Sequence, residues 1–526
     1  MLVIQREIDL RGLVLQRASA QRARGVLASL LVPLGLVSAL GVATLLRVVN
    51  IGVLGYNSDE AVYAGQAASL AGNPHFTEFP IFRAHPLLVQ SLLSLVYRHG
   101  ENDVPGRLVE AGIGVATVLV VFLLGRELYD SKVGLVAAWI LAVMPYHVIV
   151  TRQVLLDGPM VLFTTITLLL VARYARTQRL MWFIAASGCM GLSLLAKETS
   201  IVLLGSIYAF FALTPQLRRK LIASLAGLVV MGLVFAAYPI SIAVSGHGPV
   251  AKSYLVWQLF RRANHSWSFY IEVLPPMFGW AVVAIAELGL IPLWRRASWR
   301  ETLLISWIVV PAVAFEVWPV KGFQYLLLVA PAVAVLAARA LVQVDLPQVL
   351  RRFGPWLKAA ACIAVVISLF VPSWSRITTH RSTTFLAGSG GVPGGREAGE
   401  WVDSNTPQGA HLMTLGPSMA NILEFYGHRA ASGLSVSSNP LHRNPAYTPI
   451  TNPDLALRSV EIQYIVWDAY SAQRSPFFAE HELDLVRRYH GHVVHTESIG
   501  VRDAQGDVVQ TPVIVIYEVT PWAGHA

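Results

Sequence analysis

Apolar residues in this chain come in runs of membrane-spanning length separated by short polar punctuation. The runs fall near 26–46, 107–125, 133–150, 155–173, 181–196, 199–213, 221–244, 272–294, 302–319, 323–342 and 356–373. A helix needs roughly 20 apolar residues to cross a bilayer, so the pattern predicts about eleven transmembrane helices. The first run exceeds a signal-peptide core and many more follow it, so it is read as a retained span. Between 48 and 106 the pattern shortens to two helical pieces, Asp59–Ala71, ending at Gly72-Asn73-Pro74, and the amphipathic Pro86–Tyr97. Both are expected along the membrane surface.

Beyond 373 the pattern changes period. Gly388–Gly395 reads as a flexible linker. Helices are then predicted at Arg396–Asn405, Met419–Tyr426 and Phe478–Tyr489, with strands at His411–Leu415, Tyr464–Trp467, Val493–Thr496 and Pro512–Val519. The predicted fold class is therefore a polytopic α-helical membrane protein with a C-terminal extracytoplasmic α/β domain. The expected divisions are a cytoplasmic basic tail (1–25), a transmembrane domain (26–373) whose first outer loop is 48–106, and a soluble domain (374–526).

Composition agrees. Of 526 residues, 55% are hydrophobic and 13% charged, against about 25% charged in soluble proteins. The formal charge of +9 raises the question of nucleic acid. Lys and Arg instead cluster between apolar runs rather than along an aromatic-interleaved surface, which excludes that reading. They collect in alternate connections, from Arg6, Arg11 and Arg17 through Arg126 and Lys132 to Arg295 and Arg296. The positive-inside rule puts those connections in the cytoplasm, and so puts Asp59 and everything after 373 outside. Cys189 and Cys362 both lie in apolar runs, which excludes a disulfide framework.

Candidate chemistry gathers at the outer ends of the spans. Asp59 and Glu60 are adjacent carboxylates just past the first run. The structural alternative is that Ser58 caps a helix and both acids sit in its first turn, favoured by the macrodipole. A functional reading places Asp59, Tyr63, Gln66 and Leu70 on one helix face. Arg83, Arg152, Lys197, Arg261, Arg262 and Lys321 are cations spread over the outer connections. Each has a local candidate partner, such as Glu198 or Asp59 for Lys197, Asp157 for Arg152 and Glu316 for Lys321. Taken together they exceed what pairing needs, and phosphate is the anion such groups recognise best. At a membrane edge that implies a lipid phosphate. Moving a sugar from such a phosphate to a hydroxyl needs one base and a cationic clamp, because the leaving group is already a weak base. Neighbouring residues about 100° apart on a helix cannot flank a sugar as a glycosidase's two carboxylates do, so single-displacement inversion fits.

Ordered motifs carry a family resemblance. Asp59-Glu60-Ala61-Val62-Tyr63, His85-Pro86-Leu87-Leu88, Arg107-Leu108, Arg152-Gln153 through Asp157-Gly158-Pro159, Lys197-Glu198-Thr199, His265-Ser266-Trp267 and Lys321-Gly322-Phe323-Gln324-Tyr325 occur in sequence across the spans. The pattern resembles the GT-C fold glycosyltransferases of the lipid A aminoarabinose transferase and protein O-mannosyltransferase superfamily. That resemblance implies Asp59 as general base on the acceptor hydroxyl, with Glu60 as its helper. It implies that Lys197, Glu198, the Arg152/Asp157 pair and His265 shape the cavity, and that Tyr63, Lys321 and Tyr325 lie near phosphate or sugar. At the position of His85 the aminoarabinose transferases typically carry Lys before two prolines, so either Arg83 or His85 supplies that charge here.

The expected partners are a polyprenyl-phosphate-linked sugar donor, a glycan, glycolipid or protein acceptor, and membrane lipids. No cofactor is expected. The alternative is a divalent ion held by carboxylates and imidazoles among Asp59, Glu60, His75, Glu78 and His85, which match no rigid ligand spacing; His490, His492 and His495 read as a strand face, with a zinc site as the alternative. Two rival classes remain at this point, a secondary transporter and a non-catalytic scaffold. Against the transporter, the charges sit at span ends rather than at the midplane, and neither half of the chain repeats the other.

Overall fold

The computed structural model describes residues 30–76, 85–98, 100, 102–217, 221–246, 248–288, 290, 298–344, 348–378, 390–502 and 505–519. The basic tail and Arg83 lie outside the described residues.

Every predicted apolar run is helical, but the runs are not equal. Among the described residues six helices are long and apolar enough to cross a membrane: Leu30–Val48, Asp103–Leu128, Asp157–Thr177, Ile222–Val244, Tyr325–Gln343 and Gly354–Thr378. Phe269–Phe278 and Trp280–Leu288 make a seventh if the pair, bent by 94°, counts as one span. Eleven full-length spans are therefore not what the helices amount to, and the breaks have local causes. Pro145 cannot donate to the preceding turn, so the run at 133–150 divides into Ser131–Val143 and Pro145–Val150. Gly279 takes φ +87°, closed to most L-residues, and turns the chain between the two bent halves.

Small residues bring spans together. A Cβ at Gly125 would lie 2.7 Å from Gly134 Cα, so Asp103–Leu128 and Ser131–Val143 touch backbone to backbone.

The two short helices of the 48–106 connection are Ser58–Leu70 and Leu88–Tyr97, and they pack on one another. The first is capped one residue earlier than Ser58. Asn57 Oδ1 accepts from the Asp59 and Glu60 N–H groups at 3.0 Å each, and Glu60 Oε2 accepts from the Asn57 N–H at 3.1 Å. That reciprocal box satisfies donors a helix start would leave orphaned.

The C-terminal domain contains a five-stranded sheet of order β2-β1-β3-β5-β4, with β1 His411–Thr414, β2 Ala430–Gly433, β3 Tyr464–Asp468, β4 His492–Arg502 and β5 Val508–Glu518. β1 runs parallel to both β2 and β3, while β5 is antiparallel to β3 and β4. Strand β2, Ala-Ala-Ser-Gly, lacks the β-branched and aromatic residues that mark strands and exists by pairing with β1.

This domain sits on the connection that carries Ser58–Leu70. Gly55 bridges Val392, Arg396 donates to Gly52 O at 2.9 Å and to Asp103 Oδ2 at 3.2 Å, and the Tyr56 N–H donates to Tyr426 Oη at 2.8 Å. Helix Pro417–Gly427 packs directly on Ser58–Leu70. The helix that carries Asp59 is thus held between the bundle and the sheet domain.

Candidate active site

Glu60 and Asp59 share a helix turn and have different surroundings. Glu60 is fully buried. Its Oε1 accepts from Arg107 Nε at 2.8 Å and from the Val154 N–H at 3.0 Å, and its Oε2 accepts from an Arg107 terminal nitrogen at 2.8 Å as well as from the Asn57 N–H. Arg107 also donates to the carbonyls of Ile51, Leu54 and Gly55 and lies 4.8 Å over the Tyr56 ring. Both Glu60 oxygens are committed, and Glu60 and Arg107 tie the loop to Asp103–Leu128.

Asp59 is partly open. The cations acting on it are Lys197, His85 and Arg261. Burial nevertheless outweighs their pull, and its carboxyl titrates above the usual aspartate value. A carboxylate with a raised pKa beside cations is a competent proton acceptor.

The predicted neighbours divide into those the fold collects around Asp59 and those it places elsewhere. Tyr63 is buried one turn along, its ring edge-on to His85 at 6.2 Å. The His85 Nδ1 lies 3.0 Å from Glu198 Oε1, and its Nε2 lies 3.4 Å from Tyr254 Oη. Lys197, at the end of Leu180–Ala196, pairs with Asp157, at the start of Asp157–Thr177, at 2.7 and 2.8 Å. Its ammonium also lies 5.1 Å over the Tyr325 ring. Lys197 therefore does not pair with Glu198 or Asp59.

Arg152 does not pair with Asp157 either. It donates to Val49 O at 2.6 Å, on the Arg107 side of the loop. Lys321 takes the local partner foreseen for it, Glu316 Oε1 at 3.0 Å, beneath Trp267 and Tyr270. His265 stacks on Phe269 at 4.1 Å, half-exposed, and burial together with Arg474 and Lys321 lowers its pKa. On the predicted helix face, Gln66 is buried against Gln90, whereas Leu70 is exposed.

Tyr254, Gln258 and Arg261 complete the constellation. Gln258 donates to Tyr254 Oη at 2.6 Å and accepts from Arg261 at 3.3 Å, and the Arg261 guanidinium lies 4.4 Å over Trp257. Among the described residues no carboxylate pairs with Arg261, whereas Lys197, His85 and Lys321 each have one. Tyr254 and Gln258 carry no local signal in the sequence, since an i, i+4 polar pair is common on any helix.

Among the described residues no three His, Cys, Asp or Glu side chains gather as a metal site would require. His495 bonds Glu497 and His492 pairs with Glu518.

A bundle of apolar helices, a partly shielded acid at its rim, basic groups around that acid and an α/β cap make up the site. A family model described as dolichyl-phosphate-mannose-protein mannosyltransferase matches residues 84–242. The structure of ArnT from Cupriavidus metallidurans bound to undecaprenyl phosphate superimposes with a TM-score of 0.66 at 14% identity, covering 91% of this chain and 97% of that one. The archaeal oligosaccharyltransferase AglB from Archaeoglobus fulgidus, in complex with an inhibitory peptide and a dolichol-phosphate, gives a TM-score of 0.54 at 14% identity over 93% of this chain and 74% of that one. YkcB of Bacillus subtilis, provisionally named a mannosyltransferase, is 23% identical over 156 residues. That alignment covers 29% of this chain and about a fifth (21%) of the relative. The chain therefore shares the fold of ArnT and AglB, and its residues 84–242 match the mannosyltransferase family model.

Proposed function

We propose that this protein is an inverting glycosyltransferase that moves a sugar from a polyprenyl-phosphate donor to an acceptor hydroxyl at the outer face of the plasma membrane. The observation that carries the reading is the Asp59 carboxyl, partly open among His85, Lys197 and Arg261 while its neighbour Glu60 is sealed. Asp59 accepts the acceptor's O–H proton as the oxygen attacks the anomeric carbon. The bond from that carbon to the phosphate oxygen breaks on the opposite face, and the lipid phosphate leaves with the electron pair. Arg261, which pairs with no carboxylate among the described residues, takes the phosphate charge, with His85 and Lys197 beside it. A phosphate leaving group of this kind is a weak base, so neither an acid catalyst nor a metal ion is required of the chemistry, and transfer is expected to survive EDTA. The binding of undecaprenyl phosphate and dolichol-phosphate by the two structural relatives supports this donor class. Positive-inside orientation supports the outer face.

The Asp59→Asn variant tests the reading, assayed for transfer and for retention of polyprenyl phosphate by mass spectrometry. Transfer falls by about 10²- to 10⁴-fold, the range of a general base, with lipid retention intact. Activity within a factor of a few of wild type removes Asp59 from the chemistry.

A further inference from the structure

The two helices that bring Asp157 and Lys197 to the Asp59 centre carry a different set of groups at their far ends. Asp157–Thr177 and Leu180–Ala196 pack on one another and are joined by a short turn. At 1.5 Å per residue, Arg173 lies about 24 Å along its helix from Asp157. In a bilayer with a core of about 30 Å that is the opposite leaflet.

Arg173 and Arg179 are both exposed at this end. Arg176, between them, pairs with Glu127 at 2.7 Å. Among the described residues no carboxylate pairs with Arg173 or Arg179. The Arg173 guanidinium lies 4.2 Å over the Trp182 ring, a stacking that leaves its N–H edge open to an anion. Arg179 stands at the start of Leu180–Ala196, which no side chain caps. The positive end of that helix adds to the attraction for an anion.

One helical turn beyond Arg179, Phe183 forms part of the wall of a cavity of about 390 Å³. Val171, Met190 and Met231 line it too, and its polar side chains are Ser187, Ser224 and Tyr208. Ser187 Oγ already donates to Phe183 O at 3.0 Å. The cavity borders the seam between Leu180–Ala196 and the peripheral helix Leu221–Phe235, which glycines bring close. A Cβ at Gly227 would lie 2.5 Å from Phe183 Cε1, and one at Gly191 would lie 2.8 Å from Val234 Cβ. Tyr208 and Leu228, both in the lining, are 75% and 54% exposed, so the cavity opens sideways on the lipid-facing wall of the bundle. A water-sized group takes about 30 Å³, which leaves room for roughly a dozen methylenes, most of one acyl chain.

We infer that this end of the bundle binds an anionic diacyl phospholipid, its phosphate between Arg173 and Arg179 and one acyl chain in the cavity. Arginines at the end of a span satisfy the orientation rule with any lipid around them. An apolar cavity one turn away calls for a ligand that joins an anion to a hydrocarbon chain, as basic pockets between membrane helices do. A zwitterionic headgroup brings its own cation toward the arginines and fits less well. The site is separate from the Asp59 centre, at the other end of the same two helices.

Native mass spectrometry tests it on the full chain, released from nanodiscs of equal parts 1-palmitoyl-2-oleoyl-phosphatidylglycerol and the matching phosphatidylcholine. The wild type retains phosphatidylglycerol in preference. Arg173→Gln and Arg179→Gln each lower that preference about fivefold, the worth of one basic residue at an anionic surface, with the thermal midpoint in detergent unchanged. Ser224→Phe, which fills the cavity from the peripheral helix, loses the retained phosphatidylglycerol. Excess undecaprenyl phosphate does not displace it from the wild type. Equal retention of the two phospholipids by the wild type overturns the site. So does an unchanged preference in both arginine variants, wild-type retention by Ser224→Phe, or displacement by undecaprenyl phosphate.

Discussion

Replacing Glu60 by Gln separates a structural role from a chemical one. The carboxylate is fully buried and accepts four hydrogen bonds, two from the Arg107 guanidinium and one each from the Asn57 and Val154 N–H groups. Gln keeps the shape but removes the charge, and its amide nitrogen replaces one oxygen in a site where all four partners are donors. Arg107 is then left buried with the carbonyls of Ile51, Leu54 and Gly55 and with the Asp103 carboxylate 3.9 Å away. Removing one partner of a buried ion pair costs about 3–5 kcal/mol. The loss appears as a lower thermal midpoint of the detergent-solubilised protein, read by tryptophan fluorescence. Because Asp59 is the adjacent residue, a shift of about 1 Å in the loop also lowers kcat by about 10²-fold. In a double-mutant cycle with Arg107→Met the two losses fall short of additive, since one bond network is removed twice. A Glu60→Gln protein with the wild-type midpoint and kcat lowered 10²-fold refutes the argument. Glu60 would then act on the reacting groups.

Two further outcomes follow from the same contacts. Arg261→Gln removes a cation near Asp59 that pairs with no carboxylate among the described residues, so donor KM rises by about tenfold or more while thermal stability stays near wild type, checked by donor titration alongside an unfolding scan. Asp468, 1% exposed at the end of β3, has its carboxyl pushed up to about 6 by burial, against an ordinary 3.8. A raised acid contributes stability below its unfolded pKa and loses it as pH rises through about 6, a difference of about 3 kcal/mol. Asp468→Asn retains the oxygen that caps Ser471 N at 2.7 Å. It therefore raises the midpoint of the sheet domain at pH 8 and leaves it unchanged at pH 4; equal shifts at both values exclude the titration.

Hydropathy located the apolar helices of the bundle and the change of period after 373, because membrane insertion reads composition over a window of about 20 residues and is indifferent to what lies across the bundle. The positions of Asp59, Lys197 and Tyr325 were legible for a related reason: charge and phenol at the ends of apolar runs are costly unless used. Strand β2 was invisible, since Ala430–Gly433 owes its conformation to β1 rather than to its own side chains. Pairing was invisible too. Sequence proximity favoured Arg152 with Asp157 and Lys197 with Glu198 or Asp59, whereas packing brought Asp157 to Lys197 across 40 residues and Glu60 to Arg107 across 47.

The amino-acid sequence alone determined a membrane bundle with a folded domain outside it and an acid at the rim, because each of these depends on local composition. Which acid faces the cations and which is locked away was decided only by the tertiary structure. Adjacent residues on a helix point about 100° apart, and the direction that meets Arg107 is set by how Asp103–Leu128 crosses beneath the loop.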